Sequence, residues 1–173
     1  MSTPHGLWPA EEKLLEAAAN GKLCDLGDER PDEATDDKKI HPLFLRFLLL
    51  GGDGSAPVHE KGVAVRGAFT TGDIDLEGCE GVRPLKLVSC RIDGSLNAVN
   101  AQLGQINLQG SILKSLDCAF SRIEGSVALI DGFAAEGEVN FSGAEIGQLN
   151  CAGGKFRNAN GCGGGRHHQA RLD

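Results

Sequence analysis

The chain has 173 residues, of which 40% are apolar and 24% are charged, and this suits one globular domain with a continuous core. Seventeen lysines and arginines against 24 aspartates and glutamates give a net charge of −7. This balance argues against direct binding of nucleic acid or of an anionic membrane surface, because both need a basic patch.

The chain has no predicted membrane span or signal sequence. The best apolar run, residues 43–50, contains Arg46 and is far shorter than the roughly 20 residues that a span needs. The first residues lack the charged start and apolar core of a secretory signal. No two of the six cysteines form a C-x-x-C pair; they are Cys24, Cys79, Cys90, Cys118, Cys151 and Cys162. We therefore predict a cytoplasmic protein with reduced, largely buried thiols.

The first of three predicted parts, residues 1–60, has a net charge of −6 and is typical of a helical cap. Pro9 suits the first turn of one helix and Gly21 its end, and a second helix is predicted from Pro42 to about Leu50. The predicted apolar faces are Leu14, Leu15 and Ala18 in the first helix, and Leu43, Phe44, Phe47 and Leu48 in the second.

Between these helices lies an acidic stretch, residues 25–37, in which only Arg30 opposes seven carboxylates. Its composition favours an exposed loop, with disorder as the alternative. The carboxylates are candidate partner-binding residues: Asp25, Asp28, Glu29, Asp32, Glu33, Asp36 and Asp37.

The second part, residues 61–157, has a net charge of only −2 and repeats one pattern nine times. Two apolar residues flank a single residue, which is polar in seven of the nine units. The pairs recur every 10 to 12 residues: Val63/Val65, Ile74/Leu76, Leu85/Leu87, Leu96/Ala98, Ile106/Leu108, Leu116/Cys118, Val127/Leu129, Val139/Phe141 and Leu149/Cys151. This alternation predicts short strands whose paired residues point inward.

Regular turns between these strands predict a solenoid. Glycine recurs two residues before or after many of the pairs, where turns need unusual backbone angles. Two units make a repeat of about 21 residues, so nine units form about four and a half coils, stacked about 4.8 Å apart. A β-sandwich is the competing fold, but its strands are usually about five or six residues long.

Residues 101–125 divide strictly into fives, from Ala101-Gln-Leu103-Gly-Gln to Ser121-Arg-Ile123-Glu-Gly. This resembles the pentapeptide-repeat family, whose fold is a right-handed, four-sided β-helix. The resemblance extends over roughly residues 63–157, with insertions that make this chain similar to a degenerate member. It implies two inward sets: Leu103, Leu108, Leu113, Cys118 and Ile123 in the central position, and Ala101, Ile106, Ser111, Leu116 and Ser121 in the other. It also implies that the N-terminal helices are a cap like that of larger bacterial relatives.

No catalytic, cofactor or metal site is predicted. Cys162, His167 and His168 lie in the glycine-rich third part, residues 158–173, and match no zinc-binding spacing. His41 and His59 are interpreted as isolated side chains. The acids Asp73, Asp75 and Glu77 surround one strand, as in a pectin-cleaving β-helix, but no base is placed to complete such a site.

Three functional hypotheses follow. The preferred one is a non-enzymatic module that binds a protein partner through the β-helix faces and the N-terminal cap. An alternative is an inhibitor of a DNA-acting machine. The resemblance implies relatives that block DNA gyrase. Inhibitors of CRISPR complexes that phages encode likewise imitate DNA with acidic surfaces. Such mimicry would use the acidic stretch, because the β-helix is nearly neutral. A β-helix enzyme is disfavoured. The open C-terminal coil predicts a homodimer with Phe156 near the contact.

Overall fold

The β-strands wind into a right-handed parallel β-helix of about four coils, closed at its N-terminal end by two short helices. The structure is a computed structural model that describes residues 6–157. Predictions for Cys162, His167 and His168 therefore lie outside the described residues. Because successive coils pair in parallel, the solenoid prediction is confirmed and the β-sandwich is wrong.

Each coil has four sides, and each side is a column of short parallel strands. Side 1 contains β1 (Leu23–Asp25), β5 (Val63–Arg66), β8 (Leu85–Val88), β12 (Ile106–Asn107) and the second halves of β15 (Arg122–Ala128) and β18 (Glu145–Asn150). Side 2 contains β2 (Lys39–Ile40), β6 (Phe69–Thr70), β9 (Arg91–Ile92), β13 (Ile112–Leu113), β16 (Ala134–Ala135) and β19 (Lys155–Phe156).

Sides 3 and 4 complete the coil. Side 3 contains β7 (Ile74–Asp75), β10 (Leu96–Asn97), β14 (Leu116–Asp117) and β17 (Val139–Asn140). Side 4 contains β11 (Gln102–Leu103) and the first halves of β15 and β18, with Val82 bridging to Leu103. Within the described chain, the one antiparallel pair is the hairpin of β3 (Gly52–Asp53) and β4 (Ala56–Pro57).

The predicted inward residues form the core. Sixteen of the eighteen paired positions are buried, and the two exceptions, Leu149 and Cys151, are half-buried because they belong to the last coil. Both inward sets of residues 101–125 are buried as well. Their polar members bond to the backbone: the Ser111 hydroxyl donates to the Leu87 carbonyl (2.6 Å) and accepts from the Cys90 amide (3.0 Å).

The cap contains both predicted helices, α1 (Pro9–Ala19) and α2 (Pro42–Leu49). The buried residues of α1 include Leu14 and Ala18, as predicted. The predicted face of α2 is partly wrong: Phe44, Leu45, Leu48 and Leu49 are buried, whereas Leu43 is 63% exposed. No helix within residues 6–157 is long and apolar enough to cross a membrane.

The cap also contributes strands that the sequence analysis did not predict. β1 pairs with β5 on side 1, and β2 pairs with β6 on side 2, both in parallel. Residues 23–40 therefore begin an additional half-coil, which satisfies the strand edges of the first complete coil.

Candidate functional site

The acidic stretch connects β1 to β2 and lies along the corner between sides 1 and 2. We call residues 26–38 the acidic strap. Its polar contacts reach successive coils: the Leu26 amide donates to the Arg66 carbonyl, the Arg91 Nε donates to the Pro31 carbonyl, and the Arg30 guanidinium donates to the Gly110 carbonyl. The strap is thus an exposed loop, as predicted, but it is fastened to the β-helix.

Five of the seven candidate carboxylates have partners. Asp25 and Asp28 bind the Arg66 guanidinium, and Asp32 binds that of Arg91 at 3.4 Å. Asp36 binds Lys39, and the Asp37 carboxylate accepts from the Thr35 hydroxyl. The hydrogen bond from Arg66 lowers the pKa of Asp25 below its usual value. Only Glu29 and Glu33 are without a partner among residues 6–157.

These pairings remove most of the charge that the sequence assigned to this stretch. The seven carboxylates lie with five cations, so the local net charge is −2; the cations are Arg30, Lys38, Lys39, Arg66 and Arg91. Four of the seven carboxylates are thus in ion pairs, and the stretch is less acidic than its own composition indicates, although Asp28, Asp32 and Asp36 remain 86%, 92% and 78% exposed.

Acidic side chains instead collect on side 3 and the corner that leads into it. We call residues 71–78, 93–100, 114–120 and 136–143 the acidic side. Its segments carry seven carboxylates and one cation, Lys114, and the Arg46 guanidinium of α2 also reaches this side, donating from Nε to the Asp75 carbonyl at 2.9 Å. The carboxylates are Asp73, Asp75, Glu77, Asp93, Asp117, Glu136 and Glu138. All but Asp117 are exposed, and Asp117 is half-buried. The remainder of residues 61–157 has four acids and eight bases, a net charge of +4.

The acidic side is built on a column of outward residues in register, Asp75, Asn97, Asp117 and Asn140. In each, the side-chain Oδ1 accepts the amide of the second following residue, at 2.9 to 3.1 Å. These bonds fix the turn after each strand. They explain why the middle residue of the repeat is so often Asp or Asn, and they hold the column of side chains in a flat, regular array.

Every coil corner that follows an apolar pair contains a residue with positive φ, two positions after the pair. Five of these nine positions are glycine, and the other four are Ser89, Asn100, Phe120 and Asp131. Phe120 is unusual because a bulky side chain is rare at positive φ. It has φ +57°, is 67% exposed, and lies over Gly143 at the corner between sides 3 and 4. The sequence analysis found the glycines but missed Phe120 as a surface residue.

The remaining site prediction, Phe156, lies on the inward position of the last strand, β19. It is half-buried, and its ring packs against that of Phe133 with 5.6 Å between centroids. The last strand on each side has a pairing partner on one edge only within the described range. Phe156 therefore lies in the last described coil of the β-helix, which no other described strand covers.

The interpretation of His41 as isolated is wrong. Its Nδ1 lies 2.7 Å from the carboxylate of Glu11, which is fully buried, and its ring stacks on Trp8 at 3.4 Å between centroids. Glu11 also accepts from the backbone amides of Trp8 and His41. The contact joins α1 to the start of α2 and fixes the cap.

Other polar groups are dispersed. The structure brings no three metal-ligating side chains together anywhere in residues 6–157. Three surface depressions are small. One of about 250 Å³ lies against α1 and β1, one of about 200 Å³ lies at Pro84 and Gln102, and one of about 250 Å³ lies beside Phe120 and Arg122. Burial raises the pKa of Cys24 to about 11 and that of Cys90 to about 12, so these thiols stay protonated and unreactive near neutral pH.

Comparisons with family models, curated proteins and solved structures find no match to this chain. The structure itself shows the fold class, a parallel β-solenoid that is consistent with a pentapeptide-repeat-like β-helix.

Proposed function

We propose that this protein is a non-enzymatic interaction module that binds a basic surface of a partner protein through its acidic side and cap. The observation that supports this is the separation of charge: the acidic side has seven carboxylates against Lys114 and the adjacent Arg46, whereas the rest of the β-helix has a net charge of +4, or +2 once Arg66 and Arg91 are counted with the strap. A face that combines exposed carboxylates with the in-register column of Asp75, Asn97, Asp117 and Asn140 gives a partner both charge complementarity and register. The pentapeptide-like fold suits this role, and we infer that the chain is a degenerate member of that family.

The filled interior supports a binding role over catalysis. Apolar side chains from all four sides occupy the space inside each coil, so substrate would have only the outer surface. The acids Asp73 and Asp75 face outward, and Asp75 is engaged by the amide of Glu77. A general acid or base needs a substrate held within hydrogen-bond reach, which a flat face does not provide.

Affinity capture from the native host tests the proposal with two matched variants. In the first, Asp75→Asn, Asp117→Asn and Glu138→Gln remove charge from the acidic side while keeping the acceptors of its turns. In the second, Glu29→Gln and Glu33→Gln remove the unpaired charges of the strap. We expect the wild type and the second variant to capture a partner protein that the first variant does not capture. Equal capture by the first variant would contradict the assignment of the acidic side.

A second candidate function is inhibition of a DNA-acting machine such as DNA gyrase or a CRISPR complex. The acidic side favours it, because a row of carboxylates on a rod can occupy a groove that binds phosphates. The site we propose for this mimicry is the acidic side rather than residues 25–37, whose carboxylates are largely paired. Supercoiling by gyrase and cleavage by a CRISPR nuclease, each measured with the wild type and the first variant, are the tests; inhibition that survives in the variant would exclude this surface.

We further propose a homodimer formed through the last coil. The open edges of β17, β18 and β19 and the half-buried Phe156 support it, since unpaired strand edges favour association. Light scattering at micromolar concentration should give twice the chain mass of 18.1 kDa, falling to the monomer in Phe156→Asp. A monomeric wild type would refute this interface.

The proposed compartment is the cytoplasm. Cys24, Cys79, Cys90 and Cys118 are free thiols, three of them buried, and this is the usual state in a reducing environment.

A further inference from the structure

The acidic strap lies in a seat formed by the corner between sides 1 and 2. On the β-helix the seat consists of the Arg66 and Arg91 guanidinium groups and the Gly110 carbonyl, from three successive coils. The two arginines bind three carboxylates, and Arg91 also binds a main-chain carbonyl, that of Pro31. The seat therefore contacts both the side chains and the backbone of an acidic peptide.

Close approach of the strap depends on the shape of this corner. A Cβ built on Gly67 would lie 2.6 Å from the Gly27 carbonyl oxygen, so the absence of a side chain at position 67 lets the two backbones meet. Pro31, in the middle of the strap, is buried. The corner thus accepts an acidic segment that bends on both sides of a central proline.

The strap is held by a few main-chain bonds, at Leu26, Arg30 and Pro31, and by ion pairs whose carboxylates are exposed. The Asp28 and Asp32 side chains are 86% and 92% exposed, and such ion pairs contribute little and are screened by salt. The β-helix beneath is held instead by its buried core. Opening the strap therefore costs far less than unfolding the β-helix.

We propose that the strap is an autoinhibitory pseudo-ligand, and that its seat is a second binding surface for an acidic peptide segment of a partner protein. In the closed state the strap occupies Arg66 and Arg91. A partner segment with carboxylates at similar spacing displaces it and binds the same two arginines. This surface is distinct from the acidic side, and it adds regulation to the proposed interaction module.

The probe for this seat is a fluorescein-labelled peptide with the sequence of residues 25–37. Anisotropy at low salt compares the wild type with a full-length variant carrying Asp25→Asn, Asp28→Asn and Asp32→Asn, which removes all three carboxylates bound by the two arginines but keeps the length of the strap. We expect the variant to bind the peptide at least tenfold more tightly, and Arg66→Ala with Arg91→Ala in that background to abolish binding. A peptide with amides in place of all its carboxylates should not bind.

Two outcomes would overturn the proposal: equal affinity of the wild type and the strap variant, or binding that does not depend on the arginines. A 13-nucleotide single-stranded DNA that binds the variant more tightly than the peptide would reassign the seat to phosphates and also overturn it. Hydrogen exchange of the unmodified chain gives an independent check: 0.5 M salt should accelerate the amides of residues 26–38 several-fold and leave the β-helix unchanged. Unchanged strap exchange would contradict a displaceable strap.

Discussion

A negative charge should lower the free energy of unfolding strongly at the inward residue Leu108 and hardly at all at its outward neighbour Asn107. Leu108 is fully buried, between the coils that contribute Leu87 and Leu129 to the same column. Asn107 points outward, between Lys86 and Ala128, and its Oδ1 accepts the amide of Gln109 at 3.0 Å. We therefore compare Leu108→Asp with Asn107→Asp.

The expected magnitudes follow from burial. Truncating a buried leucine costs about 2–5 kcal/mol, and a buried carboxylate without a partner adds several more. The Leu108→Asp change should thus lower the free energy of unfolding by more than about 5 kcal/mol, the lower end of typical domain stability. Asn107→Asp keeps the acceptor oxygen and lies beside a lysine, so its effect should be under about 0.5 kcal/mol.

Thermal and urea unfolding followed by circular dichroism measure the difference. At about 2–4 °C per kcal/mol, Leu108→Asp should lower the Tm by at least about 10 °C or prevent folding, and Asn107→Asp should change it by under about 2 °C. Asn107→Ala, which removes the acceptor, should be intermediate, at about 1 kcal/mol. Similar destabilisation by the two aspartate substitutions would refute the register.

Three further predictions concern stability. Deleting residues 1–52 removes the helices and the half-coil that covers the first strand edges, so the remaining fragment should aggregate; a soluble monomer with unchanged Tm would contradict this. The Thr70 hydroxyl is buried without a hydrogen-bond partner among residues 6–157. Thr70→Val should therefore raise the free energy of unfolding by about 1 kcal/mol, whereas Ser111→Ala, which leaves two backbone groups unpaired, should lower it, both measured by urea unfolding. Phe120→Gly should be about 1 kcal/mol more stable than Phe120→Ala, because only glycine relieves the positive φ; equal urea midpoints would exclude strain at this corner.

The repeat could be read from the sequence because its period and its inward positions are local. The pair Ile106 and Leu108 shows alternation over three residues, and equivalent pairs recur along the chain at nearly constant spacing. The same reasoning located the positive-φ corners at glycines after the pairs, such as Gly110, but it was wrong for the glycines before the pairs: Gly125 has no positive φ, and a Cβ there would lie 2.7 Å from the Gly104 carbonyl oxygen of the preceding coil. It missed the corners at Ser89 and Asp131, because these non-glycine residues adopt positive φ only where the coil geometry demands it.

The cap was harder to predict because its contacts are not local. β1 and β2 are two or three residues long and exist only by pairing with the first coil. In α2 nearly every residue is apolar, so sequence alone does not show which face is covered, and Leu43 was assigned wrongly. The Glu11–His41 contact joins residues 30 apart.

The charge of the candidate site was also hard to predict, because it depends on contacts between residues that are distant in the chain. Counting charges in residues 25–37 gave the right composition but not the neutralising arginines, which are 41 and 59 residues from their partners in the chain. The acidic side was concealed for a different reason: its carboxylates come from four coils, and summing the whole β-helix cancels them against bases on other sides.

The two ends of the β-helix are closed differently, and this gives the molecule a direction of unravelling. Each coil contacts only its neighbours, so loss of order spreads from whichever end is least protected. The first coil is held by β1, β2 and both helices, whereas the last, with Leu149 and Cys151 half-buried, is held from one side by described residues. The contacts of the cap should therefore protect the first coil against thermal unfolding, and the residues nearest the cap should be among the last to lose their structure.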